Sequence, residues 1–169
     1  MDLVVLSLVN PGDEVILPAP YWVSYEEIVK VAGGVPVIIP TSIKEDYKIN
    51  PEALEGAINE KTRLVIYSSP CNPSGSVYTQ VETAAIANVL RRHDNVFTIS
   101  DEIYELINFT PRHASLASEP GMIERVITVN GVSKGFAMTG WRLGYIGAPK
   151  WIAAACTKIQ GQFTSAPCS

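Results

Sequence analysis

The sequence predicts an α/β fold, a mostly parallel sheet with helices packed on both faces. Three observations carry that expectation. Short runs rich in β-branched residues alternate with stretches of helical spacing along the whole chain. Most of these runs are continuously apolar, as strands buried on both faces must be. The 169 residues, 47% hydrophobic and 18% charged, suffice for one globular domain with a sizeable core or for part of a larger one.

The elements follow in order. Residues 3–9 look like the last turns of a helix, ended by Asn10-Pro11-Gly12-Asp13. Strands are expected at residues 14–17, 35–39, 64–67, 96–100, 126–129 and 143–146. Helical spacing covers residues 25–32, 51–58, 80–92 and 150–160. Asn50 before Pro51 supplies a cap and a first-turn residue, and Gly33-Gly34 stops the first of these helices. Neither end closes on an element, since the chain runs out after Gln160-Gly-Gln-Phe-Thr-Ser165, so a fragment is expected.

Charge and cysteine usage remove several function classes. A net charge of −4 and a pI near 5.2, with no basic cluster, argue against a nucleic-acid surface or an anionic membrane face. Cys71, Cys156 and Cys168 are odd in number and lack Cys-x-x-Cys spacing, which indicates neither a disulfide framework nor a thiolate zinc site. No basic region precedes the apolar residues 3–9, and no run approaches the roughly 18 apolar residues of a membrane span. A soluble, cytoplasmic protein acting on small molecules is expected. The phosphate-cradling patterns Gly-x-Gly-x-x-Gly and Gly-x-x-x-x-Gly-Lys are both absent.

Ligands of an open parallel sheet bind beyond the carboxyl ends of its strands, so polar residues just after each strand are the first candidates. Tyr21 and Trp22 follow the first strand, and Ser68-Ser-Pro-Cys-Asn72-Pro73-Ser-Gly75 the third. Asp101-Glu-Ile-Tyr104 follows the fourth, and Asn130-Gly-Val-Ser133-Lys134 the fifth, with Arg142 eight residues after Lys134. Together they offer an indole, an amide, a carboxylate, a phenol, a hydroxyl, an amine and a guanidinium. Pyridoxal phosphate needs such a set: a lysine for its aldehyde, a carboxylate to keep its ring nitrogen protonated, donors for its phenolic oxygen, and hydroxyls and an arginine for its phosphate.

Singly, these residues have plainer readings: Lys134 as a solvated lysine, Asp101 as a cap for a following helix, Asn72 as turn chemistry and Tyr104 as a buried ring. Trp141 is assigned to the core. His93 suits a helix end, and His113 lies in a loop beside Arg112; neither has a metal-ligand neighbour, and no metal site is expected.

In order, Asn10-Pro-Gly-Asp-Glu-Val, Pro20-Tyr-Trp22-Val-Ser-Tyr, Ser69-Pro-Cys-Asn72-Pro-Ser-Gly75, Ser100-Asp101-Glu-Ile-Tyr104 and the Lys134 segment cover nearly the whole chain. On these motifs it resembles the class I aminotransferases of pyridoxal-phosphate fold type I, closest to the bacterial aspartate aminotransferase branch. The resemblance implies that residues 1–169 are the central part of the cofactor-binding large domain, without its N-terminal segment and C-terminal small domain. It makes Lys134 the catalytic Schiff-base lysine and proton shuttle, Asp101 the partner of the pyridinium nitrogen, and Asn72 and Tyr104 donors to the phenolic oxygen. Arg142 and Ser133 fall at the phosphate. Trp22 covers the ring, and Trp22 and Asn72 also touch substrate. Where the family often carries a hydroxyl three residues before the lysine, this chain has Gly131.

The activity so implied is transamination between an amino acid, aspartate in this branch, and a 2-oxo acid, by a homodimeric full-length parent. The alternatives are lyase, decarboxylase or cyclopropane-forming chemistry on the same scaffold, or a truncated chain inactive on its own.

Overall fold

A computed structural model describes residues 1–164. Cys168 and the end of the chain from Ser165 lie outside the described residues. The helices are α1 (Asp2–Leu8), α2 (Ser24–Val31), α3 (Pro51–Ala57), α4 (Gln80–Leu90) and α5 (Lys150–Phe163). The strands are β1 (Glu14–Ala19), β2 (Val35–Pro40), β3 (Thr62–Ser68), β4 (Phe97–Asp101), β5 (Val126–Gly131) and β6 (Gly144–Gly147). Every element expected from the sequence is present, with ends displaced by a few residues. No described helix is long and apolar enough to cross a membrane.

The six strands form one sheet in the order β2-β1-β3-β4-β5-β6. β1 to β5 run parallel, and β6 pairs antiparallel to β5, with Gly131 opposite Gly144. Side chains alternate between faces along a strand, and the core divides accordingly. Val15, Leu17, Leu64, Ile66, Ile99 and Ile127 pack on one face beneath α1, α2 and α5. Ile16, Val65, Tyr67 and Val126 pack on the other with Leu54 of α3 and Ile86 and Leu90 of α4. Each such side chain contributes about 1.5–3 kcal/mol on burial, so the two layers rather than helix propensity hold the short helices in place.

Local chemistry sets the element ends. Asn50 Oδ1 accepts from the Ala53 N–H at 2.7 Å and Pro51 opens α3. α4 starts on a reciprocal pair, Thr79 Oγ1 accepting from Glu82 N–H and the Glu82 carboxylate from Thr79 N–H. α2 stops at Gly33, φ +80°, whose N–H reaches Lys30 O while Gly34 N–H reaches Val29 O.

Two features position the site. The strand order reverses beside β1, so β2 and β3 leave it in opposite directions and open a crevice at the carboxyl ends. The antiparallel β6 begins at that same edge. Residues 132–143, which join β5 to β6, therefore start and end at this edge, and Lys134 and Arg142 share the crevice although only one follows a parallel strand.

Candidate active site

A cavity of about 430 Å³ opens at the carboxyl ends of β1, β3, β4 and β5. It is lined by all seven side chains expected there, Trp22, Asn72, Asp101, Tyr104, Ser133, Lys134 and Arg142. Tyr25, Ser68, Val129 and Thr139 complete much of the wall.

Asp101 is the last residue of β4 and is buried. Its Oδ2 accepts from the Tyr25 hydroxyl at 2.6 Å and its Oδ1 from the Ile103 N–H at 3.2 Å. Burial pushes its carboxyl above the ordinary carboxylate range, and the two donors oppose that shift. Tyr25 is pushed far above the usual phenol value, first by burial and then by the Asp101 charge, so it keeps its proton and serves as the donor. No helix follows Asp101. Residues 103–106 form a turn, and the capping geometry serves that turn alone.

The end of β3 is stitched to the end of β4: Ser69 N–H and Ser68 Oγ both donate to the Asp101 carbonyl, at 3.1 and 3.2 Å. The turn beyond it closes through Gly75 N–H to Cys71 O and Cys71 N–H to Ser76 O, with Gly75 at φ +75°, and presents Asn72 to the cavity. Trp22 stands at the mouth, 41% exposed, with its ring edge-on to Tyr25 at 5.6 Å.

Lys134 lies in the turn after β5 with Nζ 5.8 Å from the centroid of the Tyr104 ring, within cation–π reach. Arg142 follows the short 3₁₀ turn Thr139–Trp141 in the left-handed region, φ 52°, and Nη1 donates to Thr139 O at 3.1 Å. A non-glycine residue held there stores about 1–3 kcal/mol, a cost found at ligand clamps.

Among the described residues, the side chains of Asn72, Tyr104, Ser133 and Lys134 make no hydrogen bond to the protein. Four unengaged polar groups and a guanidinium face a buried carboxylate across a space in the usual range for a small ligand, about 300–1,000 Å³. The donor set fits an aromatic, phosphorylated aldehyde: amine for the aldehyde, carboxylate for a ring cation, amide and phenol for a phenolate, guanidinium and hydroxyl for the phosphate.

Two expectations are corrected, and one residue of the site is new. Trp141 is 60% exposed rather than core, because its turn lies outside β6, the edge strand. His113 is not isolated: its Nε2 lies 2.8 Å from Glu102 Oε2, and Glu105 is also near enough to form a possible three-ligand metal cluster. Both Glu102 oxygens already accept hydrogen bonds, from Ser100, Ser115 and His113, so this carboxylate is engaged with protein donors. Finally, Tyr25 was not anticipated. Its spacing to Val29 is that of a core face, and only the fold shows that its hydroxyl ends on Asp101.

Gly131-Val132-Ser133-Lys134-Gly135 also spells the Gly-x-Ser-x-Gly pattern of hydrolase elbows. That pattern works as a strand-turn-helix with a nearby histidine. Here β5 leads through turns to β6, and neither histidine lines the cavity.

An open parallel sheet whose strand ends converge on one polar cavity defines a ligand-binding α/β domain. Residues 2–169 match the family described as aminotransferase class I and II, and the chain belongs to that family. It is 57% identical over 162 residues to a bifunctional aspartate aminotransferase and glutamate/aspartate-prephenate aminotransferase of Petunia hybrida, covering 95% of this chain and 34% of the relative. An aspartate/prephenate aminotransferase of Cereibacter sphaeroides is 46% identical, with 97% of this chain and 42% of the relative covered. The aspartate aminotransferase structure from Rhizobium meliloti superposes with a TM-score of 0.96 at 42% identity, over 98% of this chain and 42% of that one. The aromatic aminotransferase structure from Pyrococcus horikoshii does so with 0.94 at 43%, over 98% and 44%. The chain thus spans 34% to 42% of the length of the two curated relatives.

Proposed function

We propose that the chain is the central part of the cofactor-binding large domain of a pyridoxal 5'-phosphate-dependent aminotransferase that exchanges an amino group between an amino acid, aspartate foremost, and a 2-oxo acid. The observation that carries this reading is the convergence of Lys134, Asp101, Asn72, Tyr104, Ser133 and Arg142 on one cavity, four of them without a hydrogen-bond partner among the described residues. The relatives' names, which pair aspartate with prephenate, support the substrate class.

When bound, the cofactor supplies an electron sink for the bond broken at the substrate's Cα. Asp101 stabilises a proton on the ring nitrogen by its charge, with Tyr25 holding the carboxylate in place. Asn72 and Tyr104 would donate to the phenolic oxygen, Arg142 and Ser133 would hold the phosphate, and Trp22 would shield the ring from water. Lys134 Nζ would hold the cofactor through its aldehyde and, as a free amine, would serve as the base that takes and returns the substrate's Cα proton.

The test is borohydride reduction of the full-length protein loaded with pyridoxal phosphate, followed by peptide mapping. The label is expected on Lys134, and a label on any other lysine overturns the assignment. Incubation with aspartate and 2-oxoglutarate should yield oxaloacetate and glutamate.

A further inference from the structure

Successive side chains at the end of β4 face opposite sides of the sheet, so Asp101 points into the cavity while Ser100 and Glu102 point away from it. On that far side Glu102 is 4% exposed, and both its oxygens are engaged. Oε1 accepts from Ser100 Oγ at 2.9 Å and from Ser115 Oγ at 2.7 Å, and Oε2 pairs with His113 Nε2 at 2.8 Å. The other ring nitrogen, Nδ1, is buried without a partner among the described residues, so Glu102 is the anchor of the ring. His113 and Ser115 stand at the far end of the loop that begins at Tyr104. The loop returns to the carboxyl end of β4, from which it departs.

We propose that His113 is a positioning residue for the Asp101–Tyr104 turn: held on Glu102, it ties residues 105–113 to the end of β4 and, as an imidazolium, offsets the Glu102 charge one residue from Asp101. The proposal rests on the reading of Asp101 as the partner of a cofactor nitrogen. A bare Glu102 carboxylate raises the cost of ionising Asp101, which burial already makes high. The titratable groups facing the His113 ring are Glu102 and Glu105, and both favour its charged form; the hydrogen bond to Glu102 is the largest contribution. Neutral imidazole protonated at Nε2 still donates to Glu102, so the tether survives deprotonation and the charge offset does not.

This separates the two roles by pH. In the full-length protein without cofactor, the His113 ring resonance, distinguished from that of His93 by a His93→Gln variant, is expected to titrate above the ordinary value of about 6.5 and to fall in Glu102→Gln. Pyridoxal phosphate affinity, followed by fluorescence quenching, is expected to drop about tenfold as pH rises through that titration. His113→Gln, which keeps a donor but no charge, is expected to lack the step and to bind at the weaker level throughout. An ordinary His113 titration, or an unchanged step in His113→Gln, overturns the proposal and leaves the aminotransferase reading standing. A wild type that binds no pyridoxal phosphate at any pH overturns both.

Discussion

The Tyr25 hydroxyl donates to Asp101 Oδ2 at 2.6 Å from the first turn of α2, the closest contact of the buried carboxylate that floors the cavity. Replacing Tyr25 with Phe removes this donor and leaves one carboxylate oxygen without it in a low-dielectric site. Unfolding free energy is expected to fall by about 1–3 kcal/mol. The loss should be larger at neutral than at acid pH, because the bond stabilises the ionised carboxylate. Urea unfolding at the two pH values measures it, and an equal loss at both would falsify the hydrogen bond's dependence on charge.

Asp101 itself gives the cofactor-free protein a pH dependence of definite sign. Its folded value lies above the unfolded one because of burial, so between the two the folded chain holds a proton the unfolded chain has released. The stability it contributes is complete below about pH 3.9 and is lost as pH rises through the folded value. Asp101→Asn has no proton to lose. It should flatten this part of the stability curve while weakening cofactor binding, and an unchanged slope in the variant would place the titration elsewhere.

Much of this architecture is legible in the sequence. Continuous apolar runs marked the parallel strands, Asn50-Pro51 and Gly33-Gly34 marked helix ends, and the polar residues after β1, β3, β4 and β5 marked the cavity wall. What escaped depends on direction and distance in space. The sense of β6 is not written in a four-residue strand containing two glycines, yet it returns Arg142 to the crevice. Tyr25 and His113 meet their carboxylates across separations of 76 and 11 residues, beyond any local pattern. Trp141 misled because tryptophan's average burial says nothing about an edge.

Gly131 is the position where the family resemblance leads to the expectation of a hydroxyl, and the pairing of β5 with β6 explains the glycine here. A Cβ at this position would lie 2.8 Å from Leu143 O and 3.1 Å from Gly144 Cα, both backbone atoms. Gly131→Ser should therefore push β6 outward and destabilise the fold by about 1–3 kcal/mol rather than add a phosphate donor. Thermal unfolding and pyridoxal phosphate affinity measured together decide it: a variant as stable as the wild type with tighter binding would show that the strands can separate without cost.

Arg142 is the last clamp to consider, and its geometry makes lysine a poor substitute. The residue stands in the left-handed region at φ 52°, with Nη1 already donating to Thr139 O at 3.1 Å, so its fork is held by the same turn that sets its backbone. Arg142 lines the cavity, where a phosphate would take parallel hydrogen bonds from a planar fork. Lysine keeps the charge but offers a point contact on a freely rotating stem, and it relieves none of the backbone cost. Arg142→Lys is expected to weaken pyridoxal phosphate binding about tenfold, with little change in unfolding free energy, because the side chain is exposed. Pyridoxal without its phosphate provides the control. If Arg142 acts on the phosphate, wild type and variant should bind pyridoxal equally, and a deficit of the same size for both ligands would assign Arg142 to holding the loop instead.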